Sequence, residues 1–221
     1  MKQKGLLNPE VYKTKNDIYD KFATAEDYPK KIEKFLLPHL KNKIVLDLGC
    51  GTGKYAKIFG PQSKKYFALD ISKEQLKFAK RNTREITKIK FINSEGEKIP
   101  LPDNKIDVVI SSWVISVVEG FKKRKQILDE IRRVLKKDGR IFIIENDFVG
   151  EFEKMRGHPK RTGADNNWLR KHGFKIKKIK TYFKFDSLAE AKIIFKKIWG
   201  KAISNKLKDK MVEHKVIIFS N

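Results

Sequence analysis

Ile44 to Tyr55 reads IVLDLGCGTGKY, a short apolar run interrupted by a carboxylate near its end and passing straight into three glycines at alternate positions. Ile44, Val45, Leu46 and Leu48 are β-branched or aliphatic and too few for a helix of their own, so the run predicts a strand buried on both faces. Gly49, Gly51 and Gly53 allow positive φ and a close approach of backbone to something bound, and a helix is expected from about Thr52 to Phe59. Strand, glycine turn and helix start together make a ligand site at the carboxyl edge of a parallel sheet. The spacing is GxGxG, because Lys54 stands where a dinucleotide fingerprint places its third glycine. Asp47 would repel a pyrophosphate and suits a ligand bearing an ammonium group better.

Tyr66 to Asp70, YFALD, is a second apolar run closed by a carboxylate, 17 residues beyond Gly53. An acid at this distance, at the end of the next strand, is placed to accept hydrogen bonds from ribose hydroxyls. Its plainer role is to cap the helix that follows, but Ser72 and Gln75 already form a capping box, so Asp70 is expected to be free for a ligand.

Four stretches carry a resemblance. VLDLGCGTG, ALDIS, SEGEKIPLPDNKIDVVISSWVIS and IRRVLKKDGRIFII resemble, in order and spacing, the motifs of class I S-adenosylmethionine-dependent methyltransferases, in the small-domain group that includes the ubiquinone-biosynthesis type. The likeness covers about Lys43 to Asn146 and thins beyond it, where WLRKHGF, Trp168 to Phe174, is similar to the family's helix that opens the sixth strand. The resemblance implies a doubly wound α/β fold with a seven-stranded, mostly parallel sheet and an antiparallel last strand. It implies S-adenosyl-L-methionine as methyl donor and S-adenosyl-L-homocysteine as product. It assigns Asp47, Gly49 and Gly51 to the methionine side, Asp70 to the ribose and Ile71, Glu95 and Gly96 to the adenine, with Cys50, Gly53 and Glu97 as further cofactor-binding candidates beside them and Ser111 and Trp113 at the end of the fourth strand. Tyr19 and Tyr28, in a helical leader folded over the pocket, are candidates for touching the methionine end. Where the family often has a histidine beyond Trp113, this chain has Ser116 and Val117, and it lacks the Asn-Pro-Pro-Tyr run of nitrogen-directed relatives.

At 221 residues the chain suits one domain, divided into a helical leader over 1–42, a cofactor-binding core over 43–146 and an acceptor loop with the last strands over 147–221. A single cysteine, Cys50, excludes an internal disulfide and a cysteine metal cluster; within the glycine turn it reads as a small buried filler. With four histidines scattered singly, no metal site is expected. The start has no apolar core of signal-peptide length and no run suits a membrane span, which predicts a cytoplasmic protein.

The net charge of +24 is divided evenly between residues 1–150 and 151–221, so the last third is twice as basic as the rest. Such a surface can hold RNA, anionic lipid or an acidic substrate, or simply present solvated lysines. Lys192, Lys196, Lys197 and Lys201 line one side of an expected helix whose other side carries Leu188, Ala191, Ile194, Phe195, Ile198 and Ile203.

The leader from Asn8 to Leu40 is expected to be helical, with Pro29 in the first turn of its second piece. Gln126 to Lys137 predicts an amphipathic helix stopped by Gly139, and Arg140 to Glu145 the fifth strand. The connection from Asn146 to Asp165 suits an acceptor pocket or lid. Glu145, Asp147 and His158 are its candidate general bases, each also readable as a plain loop or strand-end residue. Three readings of function follow: methyl transfer to a small molecule, which requires a closed pocket made by the leader and residues 146–165; methyl transfer to RNA or protein through the basic third; and a non-catalytic cofactor-binding subunit.

Overall fold

The structure, a computed structural model, describes residues 16–157 and 161–221, with backbone alone for 161–165. Asn8 to Lys15 of the leader and His158 lie outside the described residues. The chain forms one seven-stranded sheet in the order β3-β2-β1-β4-β5-β7-β6. Its strands are β1 (Ile44–Leu48), β2 (Lys65–Asp70), β3 (Ile89–Asn93), β4 (Ile106–Ser112), β5 (Leu135–Asn146), β6 (Lys175–Lys184) and β7 (Met211–Ser220). β1 pairs in parallel with β2 on one side and β4 on the other. β7 alone runs antiparallel, to β5 and to β6. Strand order reverses beside β1, so a crevice opens at the carboxyl ends of β1 and β4.

Alternation along the central strands sorts the core onto two faces. Leu46, Leu48, Val109 and Ile143 belong to one cluster, and Val45, Val108, Ile110 and Phe142 to the other. β1 is thus covered on both faces, as its unbroken apolar run requires. A third cluster, around Phe152, Phe183 and Phe195, lies apart from both. It includes Ile18 of α1 (Asn16–Ala25), together with residues of α8 (Leu188–Trp199).

Several boundaries differ from expectation for local reasons. α2 (Lys31–Leu40) begins after Pro29, with left-handed Lys30 between them, and its first turn is held by Asp27, whose two oxygens accept from the Ile32 and Glu33 amides at 2.8 Å each. α3 (Lys54–Phe59) starts at Lys54 because Gly53 occupies the left-handed region at φ 87°. α4 spans Lys73–Asn82. α5 runs Phe121–Val134, five residues earlier than its apolar stripe suggests, and β5 follows at once because Leu135 already pairs with Ile106. Gly139 therefore lies inside β5 and is no helix stop; a Cβ there would sit 2.5 Å from Leu135 Cγ, so that close approach is what needs a glycine.

The Asn146 to Asp165 connection carries α6 (Glu151–Arg156) and the start of α7 (Arg161–Lys171). α8 is capped by Ser187, whose Oγ accepts from the Glu190 amide at 3.1 Å, and its lysines are exposed. Ile203 falls in a separate turn, α9 (Lys201–Ser204).

Candidate cofactor cleft and inner chamber

The glycine turn is tied down by its neighbour strand. Leu69 carbonyl accepts from the amides of Gly49 at 2.8 Å and Cys50 at 3.0 Å, and Asp70 Oδ2 accepts from the Gly51 amide at 2.9 Å. The amides of Gly49 and Gly51 are thereby engaged inside the protein. What the turn offers a ligand is bare backbone: Gly49 has φ 75° and a Cβ would meet Val114 Cγ2 at 2.2 Å, while Gly51 has φ 54° and faces the Tyr19 ring. Asp70 is not free as expected. Its second oxygen accepts from the Ser72 amide at 2.8 Å, so one carboxylate joins the turn of β1 to the helix start after β2. Burial raises its pKa, opposed by those same hydrogen bonds from Ser72 and Gly51.

Over this turn opens a cleft of about 970 Å³, lined by Tyr19, Gly49, Gly51, Asp70, Ile71 and Trp113 among others. Ile71 is 66% exposed, an apolar side chain left at the mouth with nothing covering its outer side. Gly96 and Glu97 also line the cleft, Glu97 3.7 Å from the Lys123 ammonium. Glu95 is exposed and outside the lining, so the acid at this wall is Glu97. Ser111 is buried outside the lining, and its neighbour Ser112 takes that place.

Asp47 sits beneath the turn, 1% exposed, and does not line the cleft. The Tyr66 hydroxyl donates to its Oδ2 at 2.9 Å, and Oδ1 is buried without a hydrogen-bond partner. Burial, with the charge of Asp70 adding, pushes its pKa up to about 7, against the pull of the Tyr66 hydroxyl. A cationic ligand group above the turn would restore its ionisation.

A smaller inner chamber of about 130 Å³ adjoins the cleft and shares six of its lining residues, Tyr19, Gly49, Gly51, Ser112, Trp113 and Val117. Cys50 lines this chamber; burial pushes its thiol well above the ordinary range, so it is a neutral filler. The walls are aromatic. Phe22 of α1 stacks on Phe183 at 4.7 Å and meets Trp199 edge-on at 5.0 Å, and Phe152 of α6 lies 4.8 Å from Phe183.

One polar chain crosses these walls. Lys54 Nζ lies 3.0 Å from Glu26 Oε2, Glu26 Oε1 lies 3.0 Å from His214 Nδ1, and His214 Nε2 lies 2.9 Å from Asn146 Oδ1. The Trp113 indole N–H donates to that same oxygen at 3.0 Å. Burial would raise the Glu26 pKa, but the Lys54 ammonium and His214 together hold it below the usual carboxylate value.

Two of the three expected bases lie elsewhere, His158 being outside the described residues. Glu145 is buried behind the chamber and accepts from the Ser116 amide at 3.1 Å; Asp147 pairs with Lys178 at 3.0 Å. Neither lines cleft or chamber. Tyr28 and Gly53 line another cavity, of about 420 Å³, which shares Glu26, Lys54 and Tyr55 with the chamber and where the Lys184 ammonium sits 4.1 Å from the Tyr28 ring centre. His214, Asn146, Glu26 and Lys54 escape a reading of motifs. The signal for His214 was present, since an antiparallel β7 delivers its amino end to the carboxyl edge of β5, two residues past the Asn146–Val216 pair.

A glycine cradle, a buried carboxyl lacking one partner and an exposed isoleucine at the mouth fit a ligand that joins an aliphatic ammonium to a planar base. Comparison with known proteins agrees. The family described as "Methyltransferase domain" matches residues 46–143. An uncharacterised protein of Methanocaldococcus jannaschii is 31% identical over 190 residues, 76% of this chain and 86% of that one. A malonyl-[acyl-carrier protein] O-methyltransferase of Buchnera aphidicola is 28% identical over 198 residues, 85% of this chain and 78% of that one. The crystal structure of an S-adenosylmethionine-dependent methyltransferase from Aquifex aeolicus shares the fold, with a TM-score of 0.61 at 18% identity over 96% of this chain and 97% of that one. The chain belongs to the S-adenosylmethionine-dependent methyltransferases.

Proposed function

We propose that the cleft binds S-adenosyl-L-methionine and that the inner chamber receives a small-molecule methyl acceptor. Bound there, S-adenosyl-L-methionine supplies an electrophilic methyl group on a sulfonium. Asp47 would compensate the ammonium through the turn, Gly49 and Gly51 would admit the chain closely, Asp70 would lie beside the ribose, and Ile71 would pack on the base. The protein then chiefly has to hold the acceptor atom in line with that methyl group and keep water away. The carrying observation is the origin of the chamber wall: Tyr19 and Phe22 come from the leader helix, and Phe152 and Arg156 from the connection after β5. A pocket walled by those two segments supports a small acceptor.

A second reading, an RNA or protein acceptor, is favoured by the exposed lysines of α8. Incubation with methyl-labelled donor and separated metabolite, RNA and protein fractions tests both, and label in the metabolite fraction alone supports the first. A cytoplasmic setting belongs to this reading, supported by the buried free thiol of Cys50; among the described residues no helix is long and apolar enough to cross a membrane.

A further inference from the structure

The hydrogen bonds of the chamber fix which way one of its amides faces. An indole N–H only donates, so the Asn146 atom 3.0 Å from Trp113 Nε1 is the amide oxygen, and His214 Nε2, 2.9 Å from that oxygen, donates to it as well. Turning the amide over would set N–H against N–H. Nδ2 is therefore fixed on the other side with its two hydrogens, and no described group accepts from it. It is not sealed in, as the unpartnered Asp47 Oδ1 and Ser111 Oγ are, and Asn146 lines the chamber.

Asn146 ends β5 beside the wall that the two compartments share. Its partner Trp113 lines both, as does Ser112, whereas Asn146 and Ser116 line the inner one and not the cleft. Among the described residues neither serine hydroxyl has a hydrogen-bond partner, so three open polar groups stand there among aromatic walls. A hydroxyl donates or accepts, but an amide nitrogen only donates. Lys54 and Arg156 already have acids of their own, Glu26 at 3.0 Å and Glu153 at 2.8 Å. Of the three open groups, Nδ2 alone has one fixed sense, and it requires a lone pair opposite. A molecule that fills the chamber without accepting from it leaves a dry donor and binds less well.

We propose, building on the reading of cleft and chamber above, that the methyl acceptor is a small carbonyl compound whose oxygen accepts a hydrogen bond from Asn146 Nδ2. A carbonyl oxygen has two lone pairs, so it can take this N–H and a serine hydroxyl together. Asn146 thereby orients the acceptor, setting its carbonyl end beside the shared wall, while Trp113 and His214 hold the amide in register. Ammonium groups and bare hydrocarbons, which offer Nδ2 no lone pair, are disfavoured at that end.

The test uses the full chain loaded with S-adenosyl-L-homocysteine and two probes of one shape, acetophenone and α-methylstyrene, in which a carbonyl oxygen is exchanged for a methylene group. Calorimetry gives the ratio of their affinities, which cancels a general loss of packing. In Asn146→Leu the ratio is expected to move about tenfold against acetophenone, the scale of one hydrogen bond, with α-methylstyrene within about twofold of its parent value. A ratio unchanged by the substitution overturns the proposal, as does a parent chain that binds α-methylstyrene and not acetophenone. Where Asn146→Leu fails to fold, Asn146→Asp, which keeps an oxygen for Trp113 and His214, is measured in its place and the same shift is expected. Failure of the parent chain to bind S-adenosyl-L-homocysteine overturns the cofactor reading instead.

Discussion

The Tyr66 hydroxyl donates to Asp47 at 2.9 Å, and among the described residues this is the one hydrogen bond given to a carboxyl group buried beneath the glycine turn. With its pKa raised to about 7 from an ordinary 3.8, Asp47 keeps its proton in the folded protein over a range where the unfolded chain has lost it. The folded state binds more protons between those values, so stability from this group falls as pH rises from about 4 through 7. Asp47→Asn is expected to flatten that slope in melts between pH 5 and 8. Cofactor binding is expected to release a proton and tighten as pH rises toward 7, levelling off above it, measured by calorimetry in two buffers of different ionisation enthalpy; Asp47→Asn removes the dependence. An equal slope in the variant would refute the assignment.

Asp70 holds Gly51 with one oxygen and Ser72 with the other. Asp70→Ala is expected to weaken cofactor binding by about 1 to 3 kcal/mol, with Asp70→Asn milder because one acceptor survives. Unchanged affinity by calorimetry would mean that the turn keeps its shape without this strut.

Gly49 combines a left-handed φ of 75° with a Cβ position 2.2 Å from Val114 Cγ2. Gly49→Ala is expected to cost about 1 to 3 kcal/mol in denaturant unfolding. Adding Val114→Ala removes the clash and leaves the backbone strain, so the pair should recover part of the loss and no more.

Lys54 and Glu26 form an ion pair with side chains 12% and 6% exposed. Lys54→Met leaves the buried carboxylate with His214 alone and is expected to cost about 3 to 5 kcal/mol; combining it with Glu26→Gln should recover much of this. Because the folded pKa of Glu26 lies below its ordinary 4.5, its contribution is present above that value and is lost as pH falls through the folded pKa. A melt of Lys54→Met equal to the parent's would count against the pair.

Much of the fold was legible because the strands of a doubly wound sheet are covered on both faces and so appear as unbroken apolar runs, as in Ile44 to Leu48. Glycines at fixed offsets marked the turn because no Cβ fits against Val114 at Gly49 and because Gly51 and Gly53 hold left-handed backbone. Boundaries set by pairing were not legible. Nothing local in Leu135 announces that it pairs with Ile106 and ends a helix there. Local chemistry also misled at Asp70, where the Ser72 cap was visible but the demand of the Gly51 amide from another strand was not. The inner chamber was least legible, since Glu26, Lys54, Asn146 and His214 come from distant stretches and meet only through the sheet order.

Helix α1 gives Tyr19 to both compartments and Phe22 to the inner one, and is pinned to the core by Asn16 on Gln75 at 2.9 Å and Asp20 on Asn82 at 3.1 Å. A single rod walling two rooms is expected to couple them, so that filling the outer one sets the wall of the inner. Steady-state rates should accordingly follow a compulsory sequence, donor before acceptor, with initial-velocity lines that intersect and product inhibition that is competitive for the donor alone.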